Sequence, residues 1–281
     1  MSDTPILTSE QRDAFDRRGV LRLEGLLSGE RVRKAREHVR RRLERLGYWR
    51  DGEWRLDQAP RPTWPDRALK TSKAIGNNHP DVDALIEEPA LLAAVDLLLG
   101  GRPFDRTIHK RPQLLFTLPN AGAWTLPSGW HADGPRLAGG DCAGVQLFAC
   151  LDHVEPGGGG TLIIEGSHRL FNLGRPLRAK AFNRLLGQAP FFRALLAAEG
   201  SAGPTAGSPL PTGAIGDVEL QVMELTGAPG DAYLIDMRML HAGAPNAADR
   251  PRIMATHRFW RADLMQELAQ VYGWTAGEAD T

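Results

Sequence analysis

The stretch LHAGAPNAADRPRIMATHRFW, residues 240–260, decides how this chain is read. It opens on a histidine among small, turn-forming residues and closes in RIMATHRFW, an apolar, β-prone run. In an extended strand, residues two apart face the same side. Arg252, Met254, Thr256, Arg258 and Trp260 therefore share one face, and His257 points to the other. If the arginine face lines the interior of a β structure, Arg252 needs an anion, because an unpaired buried charge is very costly. A guanidinium offers a planar fork that suits a carboxylate. Taken alone, a protein acid would satisfy that fork as well as a ligand would.

Outward from this strand, short apolar runs bounded by Gly, Pro, Asn and Asp recur: Gln113–Leu118, Gly144–Asp152, Thr161–Ile164, Val218–Leu225 and Asp231–Asp236. Such a series predicts an antiparallel sandwich or barrel. Residues 168–217 interrupt it with helical stretches, AFNRLLG and FFRALLAAEG, and a Gly, Pro, Ala and Ser loop from 201 on; a substrate lid is the expectation for this insertion. The first hundred residues read as helical. Thr8-Ser9-Glu10-Gln11 is a helix start. A second helix begins near Ser28, with Val32, Ala35, Val39, Leu43 and Leu46 at helical spacing, and a third spans roughly 80–99. Residues 48–67, rich in Trp, Arg, Asp and Pro, read as irregular loop. With no repeat or linker, the expected organisation is one domain over 1–281: a mainly helical part at 1–104, then a β core at 105–262 carrying the insertion.

Lys plus Arg and Asp plus Glu are 34 each, so there is no general pull toward nucleic acid or an anionic membrane. Arg31, Arg33, Lys34, Arg36, Arg40, Arg41 and Arg42 on the second helix then read as a solvated face rather than a nucleic-acid patch. The two cysteines, Cys142 and Cys150, form no CxxC pair and are too few for a disulfide framework. No secretory pattern opens the chain, and no apolar run approaches the ~20 residues of a membrane span. A cytoplasmic location is the expectation.

His131-Ala132-Asp133 carries the chemistry. At strand spacing the imidazole and the carboxylate point together, supplying two of the three ligands of a two-His, one-carboxylate facial triad for iron(II). An isolated HxD is common and more often a surface hydrogen bond. The third ligand is sought in His241, where a strand gives way to a turn. His38, His79, His109, His153 and His168 read as structural or solvated, and His257, the competitor, alternates away from Arg252.

WHAD at 130–133, GGTLIIEGSHR at 159–169, GDAYLID at 230–236 and LHAGAPNAADRPR at 240–252 together resemble the phytanoyl-CoA dioxygenase family, as does the opening LTSEQRDAFDRRGVLRLEGLLS. The similarity runs over most of residues 6–262. It implies a mainly β fold with flanking helices, a double-stranded β-helix (jelly roll, cupin-like) core, and a non-haem iron(II) enzyme using 2-oxoglutarate and oxygen. His131, Asp133 and His241 fall on the metal positions, and Arg252, eleven residues after His241, on the oxoglutarate position. Thr161 matches a position that touches the cosubstrate in some members, and Gln113 and Gln146 are further cofactor candidates. Glu165 stands where relatives often have proline. Related halogenases replace the carboxylate ligand with a small residue, so Asp133 implies hydroxylation as the default, with desaturation, epoxidation and ring closure on the same ligands.

Trp130, Arg136, Arg258 and Trp260 are the substrate candidates, with Trp124 in the loop before the motif. The expected partner is a small, specialised metabolite, not nucleic acid or membrane. Two other readings use the same residues: a jelly-roll metalloprotein with non-oxygenase metal chemistry, which has no role for Arg252, and a non-catalytic binding module.

Overall fold

The computed structural model describes residues 6–55, 79–106, 111–119, 124–137, 140–170, 184–198, 200 and 209–272. Helix α1 (Ser9–Arg18) starts at a capping box: Gln11 N–H donates to Thr8 Oγ1 at 3.1 Å, and the Gln11 side chain accepts from Thr8 N–H at 2.9 Å. Strand β1 (Val20–Leu23) follows, then α2 (Gly29–Arg45), which buries Val32, Ala35, Val39 and Leu43. Leu46, expected on that face, is exposed because it is the C-cap, where the chain leaves the helix. The basic side of α2 is tied up in ion pairs, among them Arg33–Glu37 and Lys34–Glu30 one turn apart, and Arg40 with Asp152.

Two expectations in this half need correction. Residues 49–54, expected as loop, form the hairpin β2 (Trp49–Arg50) and β3 (Glu53–Trp54), closed by an edge contact of the two indoles. The rest of that expected loop lies outside the described residues. The helix expected over 80–99 is broken into α3 (Pro80–Asp83), a 3₁₀ turn over Ala84–Glu87 and α4 (Pro89–Leu98). Pro89 has no N–H to give and disfavours helical backbone before it, and Glu88 is extended at φ −68°, ψ 120°.

The β part contains β4 (Phe104–Asp105), β5 (Gln113–Thr117), β6 (Gly144–Cys150), β7 (Thr161–Glu165), β8 (Thr212–Ile215), β9 (Val218–Glu224), β10 (Ala232–Asp236), β11 (His241–Gly243) and β12 (Arg252–Arg261). One antiparallel sheet runs β1-β10-β6-β12-β4, with β5 also on β12; the other runs β11-β7-β9-β8. The two curl toward each other as a jelly roll. The outer face of the large sheet, with Leu147, Ala149, Ile253 and Ala255, packs on α2, α3 and α4. Between the sheets lie Phe148, Cys150, Ile163, Tyr233, Ile235 and Met254. The outer face of the small sheet, with Leu162, Ile164, Leu220 and Val222, is covered by α5 (Pro190–Ala197) through Phe192 and Leu195, and by Trp124 and Leu126. The described part of the 168–217 insertion thus backs the small sheet's outer wall and extends its edge with β8, whereas a lid would cross the space between the sheets. Residues 171–183 and 201–208 of it lie outside the described residues. Helix α6 (Leu264–Tyr272) closes one end, with Leu264 and Leu268 against Trp260, Leu137 and Met237. No helix among the described residues is long and apolar enough to cross a membrane.

Candidate active site

Backbone pairing builds the site. His131 N–H donates to the His241 carbonyl at 3.0 Å, and His241 N–H returns to the His131 carbonyl at 2.8 Å. This places the imidazoles side by side, ring centroids 4.3 Å apart, while β11 pairs with β7 so that His241 lies opposite Ile163, on the face between the sheets. Asp133 comes in two residues later: its Oδ1 is 3.9 Å from His131 Nε2 and its Oδ2 is 3.5 Å from His241 Nε2. One ligand atom from each of the three residues lies within 4.8 Å of the others. The turn after Asp133 requires glycine. Gly134 N–H donates to the Met237 carbonyl at 2.7 Å, and a Cβ there would sit 2.8 Å from Met237 Cβ.

The polar geometry suits a divalent transition metal. His131 Nδ1 is 2.9 Å from the Gly129 carbonyl, and His241 Nδ1 is 3.2 Å from that of Met239. A carbonyl only accepts, so both Nδ1 atoms carry a hydrogen and both Nε2 atoms face the gap beside Asp133. Partial desolvation of the ring, helped by the neighbouring His241, holds His131 below the usual histidine range. Burial works against ionisation of Asp133, but His241 and Arg258 outweigh it and hold the carboxyl well below its usual range. Two imidazoles and one carboxylate on one side of a space leave the opposite side open. The His131 side chain is 55% exposed, against 15% for Asp133 and 7% for His241, so the open side is the His131 side.

Arg252 is buried on β12, on the inner face of the large sheet with Met254, across from the small sheet that carries His241. Its Nη2 donates to Thr117 Oγ1 across the β5–β12 register, its Nη1 lies 3.8 Å from Met254 Sδ, and its Nε has no hydrogen-bond partner. Among the described residues no carboxylate forms an ion pair with it. Glu224, the acid whose field it feels, accepts instead from the Gly157 and Gly160 N–H groups at 2.7 and 2.9 Å. Burial lowers Arg252 to about 10, so it stays a cation at neutral pH. A buried, ionised guanidinium with a spare donor fits the far carboxylate of a dicarboxylic acid.

The remaining candidates divide. Thr161 is buried opposite Gly243, on the face that holds His241. Gln146 is buried on β6, its Nε2 donating to Thr256 Oγ1 at 3.2 Å and its Oε1 unpartnered. Gln113 stands opposite Thr256 but is exposed, at the rim. Arg258 sits beside the cluster, its Nε 2.8 Å and its Nη2 2.6 Å from Asp133 Oδ2. Three substrate candidates point elsewhere. Trp130, like Trp124, packs with the cluster on the outer face of the small sheet, because its neighbour His131 takes the inner side. Arg136 is buried and donates to the carbonyls of Leu170, Ser167 and Arg238, a staple between loops. Trp260 joins the cluster under α6.

Of the other histidines, His38 stacks on His79 at 3.7 Å on the helical side, and His153 is exposed. His168 is buried, its Nε2 3.1 Å from the Asp16 carbonyl, and His257 faces away from the site, against Phe259 at 4.7 Å. His109 lies outside the described residues. Ser167 of the GSH turn accepts from Leu240 N–H at 2.9 Å, which fixes the backbone next to His241. Sequence reasoning missed Thr117 and Phe148, whose ring meets that of His241 at 5.8 Å. Strand parity carries the signal for both: Thr117 shares the face of Gln113, and Phe148 that of Gln146.

No curated protein matches this chain. Solved structures do share the fold. EctD from S. alaskensis, determined with 2-oxoglutarate and 5-hydroxyectoine, is 19% identical with a TM-score of 0.54, over 94% of this chain and 80% of its own. The carbocyclase SnoK from nogalamycin biosynthesis is 16% identical with a TM-score of 0.55, over 93% and 88%. HygX from Streptomyces hygroscopicus, determined with nickel and 2-oxoglutarate, is 17% identical with a TM-score of 0.51, over 91% and 88%. The family profile of phytanoyl-CoA dioxygenase (PhyH) matches residues 15–254. With that match over most of its length, the chain belongs to the phytanoyl-CoA dioxygenase family and is an iron- and 2-oxoglutarate-dependent oxygenase.

Proposed function

We propose that His131, Asp133 and His241 hold the iron(II), that Arg252 grips the far carboxylate of 2-oxoglutarate, and that the enzyme hydroxylates an unactivated C–H of a small, specialised metabolite. The observation that carries this reading is Arg252: a buried cation with no ion pair among the described residues, on the inner face of the large sheet, across from the small-sheet face that carries His241 of the three-residue cluster. A metalloprotein of other chemistry would have no use for it. Bound at this site, iron and 2-oxoglutarate activate oxygen for attack on a C–H bond, with succinate and carbon dioxide as co-products.

The chain's own residues supply binding, orientation and dryness. The Gly129 and Met239 carbonyls lock both imidazoles with Nε2 toward the metal position. Thr117 orients the Arg252 fork, and Thr161 adds a hydroxyl on the facing sheet. Phe148, Ile163 and Met254 make the surroundings apolar, which strengthens the guanidinium–carboxylate contact and excludes water. Substrate approaches from the His131 side, past the exposed ring. Gln113 at the rim and the Gln146 amide beside Thr256 are the polar groups placed to meet either cosubstrate or substrate.

The test is anaerobic addition of iron(II) and then 2-oxoglutarate to the purified protein, which gives a weak visible charge-transfer band. A substrate screen read by succinate release and product mass follows, with hydroxylation adding one oxygen. A folded, metal-bound protein that gives no band supports a binding module, and a product short of two hydrogens supports ring closure or desaturation.

A further inference from the structure

Given the proposed metal site, we infer that Arg258 is a positioning residue that commits one oxygen of Asp133, so that the carboxylate gives the metal a single coordination position. An arginine and a carboxylate commonly pair through two parallel hydrogen bonds, one to each oxygen. Here both contacts, from Nε at 2.8 Å and Nη2 at 2.6 Å, fall on Oδ2. Oδ2 is thereby held by the guanidinium, through one hydrogen bond from Nε and the ion-pair contact of Nη2, and Oδ1, on the His131 side, is the oxygen left to give. The register explains how the arginine gets there: Arg258 lies opposite Gln146 on the inner face of β12, and the HxD segment is held over it by the bridge to His241.

The consequence concerns the count of open positions. A carboxylate can bind a cation through one oxygen or two. Three single-position protein ligands leave room for a chelating oxoacid and for oxygen, and a two-oxygen Asp133 would take one of those places. A guanidinium this close to a divalent cation is electrostatically unfavourable, since like charges repel strongly at short range. A cation placed there is explained if it prevents the second oxygen from binding.

The test separates metal binding from oxoacid binding in wild type, Arg258→Met and Arg258→Lys. Cobalt(II) affinity is measured by calorimetry. 2-Oxoglutarate affinity is measured by anaerobic titration of the iron(II)-loaded protein, read at the visible band. The expected signature of Arg258→Met is a split: cobalt binding as tight as wild type or tighter, and 2-oxoglutarate binding weaker by on the order of tenfold, within the range seen for groups that orient metal ligands. Arg258→Lys, which keeps the charge and loses the fork, falls between, and it carries the same split if the methionine variant does not fold. Unchanged oxoglutarate affinity, or parallel loss of cobalt and oxoglutarate binding as in a collapsed site, overturns the inference. If wild type itself binds neither cobalt nor oxoglutarate, the metal-site reading fails instead.

Discussion

Arg252 and Arg258 share one face of one strand, six residues apart, and meet opposite surroundings. Around Arg252 the interior offers a threonine hydroxyl, a methionine sulfur and no ion pair among the described residues. Around Arg258 it offers the carboxylate of Asp133. The first end is incomplete without an anion from outside, and the second is complete within the chain. The same residue type therefore marks the proposed ligand position in one place and a protein scaffold in the other, and partners rather than identity tell them apart.

The comparison breaks most visibly if the cluster beside Arg258 is not a metal site. Asp133→Ala removes one of the three proposed ligands and frees the Arg258 fork. It is expected to lower iron(II) affinity and succinate production by more than the roughly 100-fold that marks loss of a supporting group, measured by metal titration and coupled turnover. Activity within tenfold of wild type would remove Asp133 from the metal.

Next in size is Arg252→Met. Losing the charged partner of a buried carboxylate is worth about 2 kcal/mol or more, so 2-oxoglutarate affinity falls by roughly 30-fold or more while cobalt affinity holds. Exchanging an unpaired buried cation for an apolar side chain of similar length also relieves desolvation, so the ligand-free melting temperature rises. A lower melting temperature with unchanged oxoglutarate affinity would mean that Arg252 serves a protein acid.

Arg258→Met is the counterpart with the opposite sign. It strands the Asp133 carboxylate, and the metal-free protein loses about 1 kcal/mol, less than a fully buried pair would give because both partners retain some solvent contact. The sign with pH follows from the depressed Asp133 titration. Stability from a carboxyl held below its unfolded value is present above that value, ~3.9, and is lost as pH falls below it. The gap between wild type and variant, measured by thermal melts, is therefore full at pH 7 and shrinks on acidification past pH ~4.

Much of this contrast was readable in the chain. Alternation in RIMATHRFW put both arginines on one face and His257 on the other, and all six proposed strands form, with ends shifted by at most two residues. The Thr8–Gln11 box predicted the start of α1. Contacts that depend on distant pairing were less legible. Nothing local joins β1 to β10 or shows that Arg258 meets an acid 125 positions away. Arg136 lies beyond the Gly134 turn, where strand parity no longer carries over, so its burial against three carbonyls had no local signal. Trp130 did have one: it neighbours His131, and adjacent residues of an extended segment face opposite ways.

Trp130 supplies the smallest prediction, and it tests that parity. The indole packs with the cluster behind the small sheet, and its Nε1 is buried without a hydrogen-bond partner. Trp130→Phe keeps an aromatic ring and removes the unsatisfied N–H. The lost packing, about 1 kcal/mol for a modest loss of volume, is offset in part by the removed desolvation penalty. The expected outcome is a melting temperature within a few degrees of wild type and unaltered cobalt and 2-oxoglutarate affinities. A tenfold change in either affinity would place the indole on the inner side with His131, and it would shift Trp130 from the outer wall to the end of the barrel where Arg258 holds Asp133.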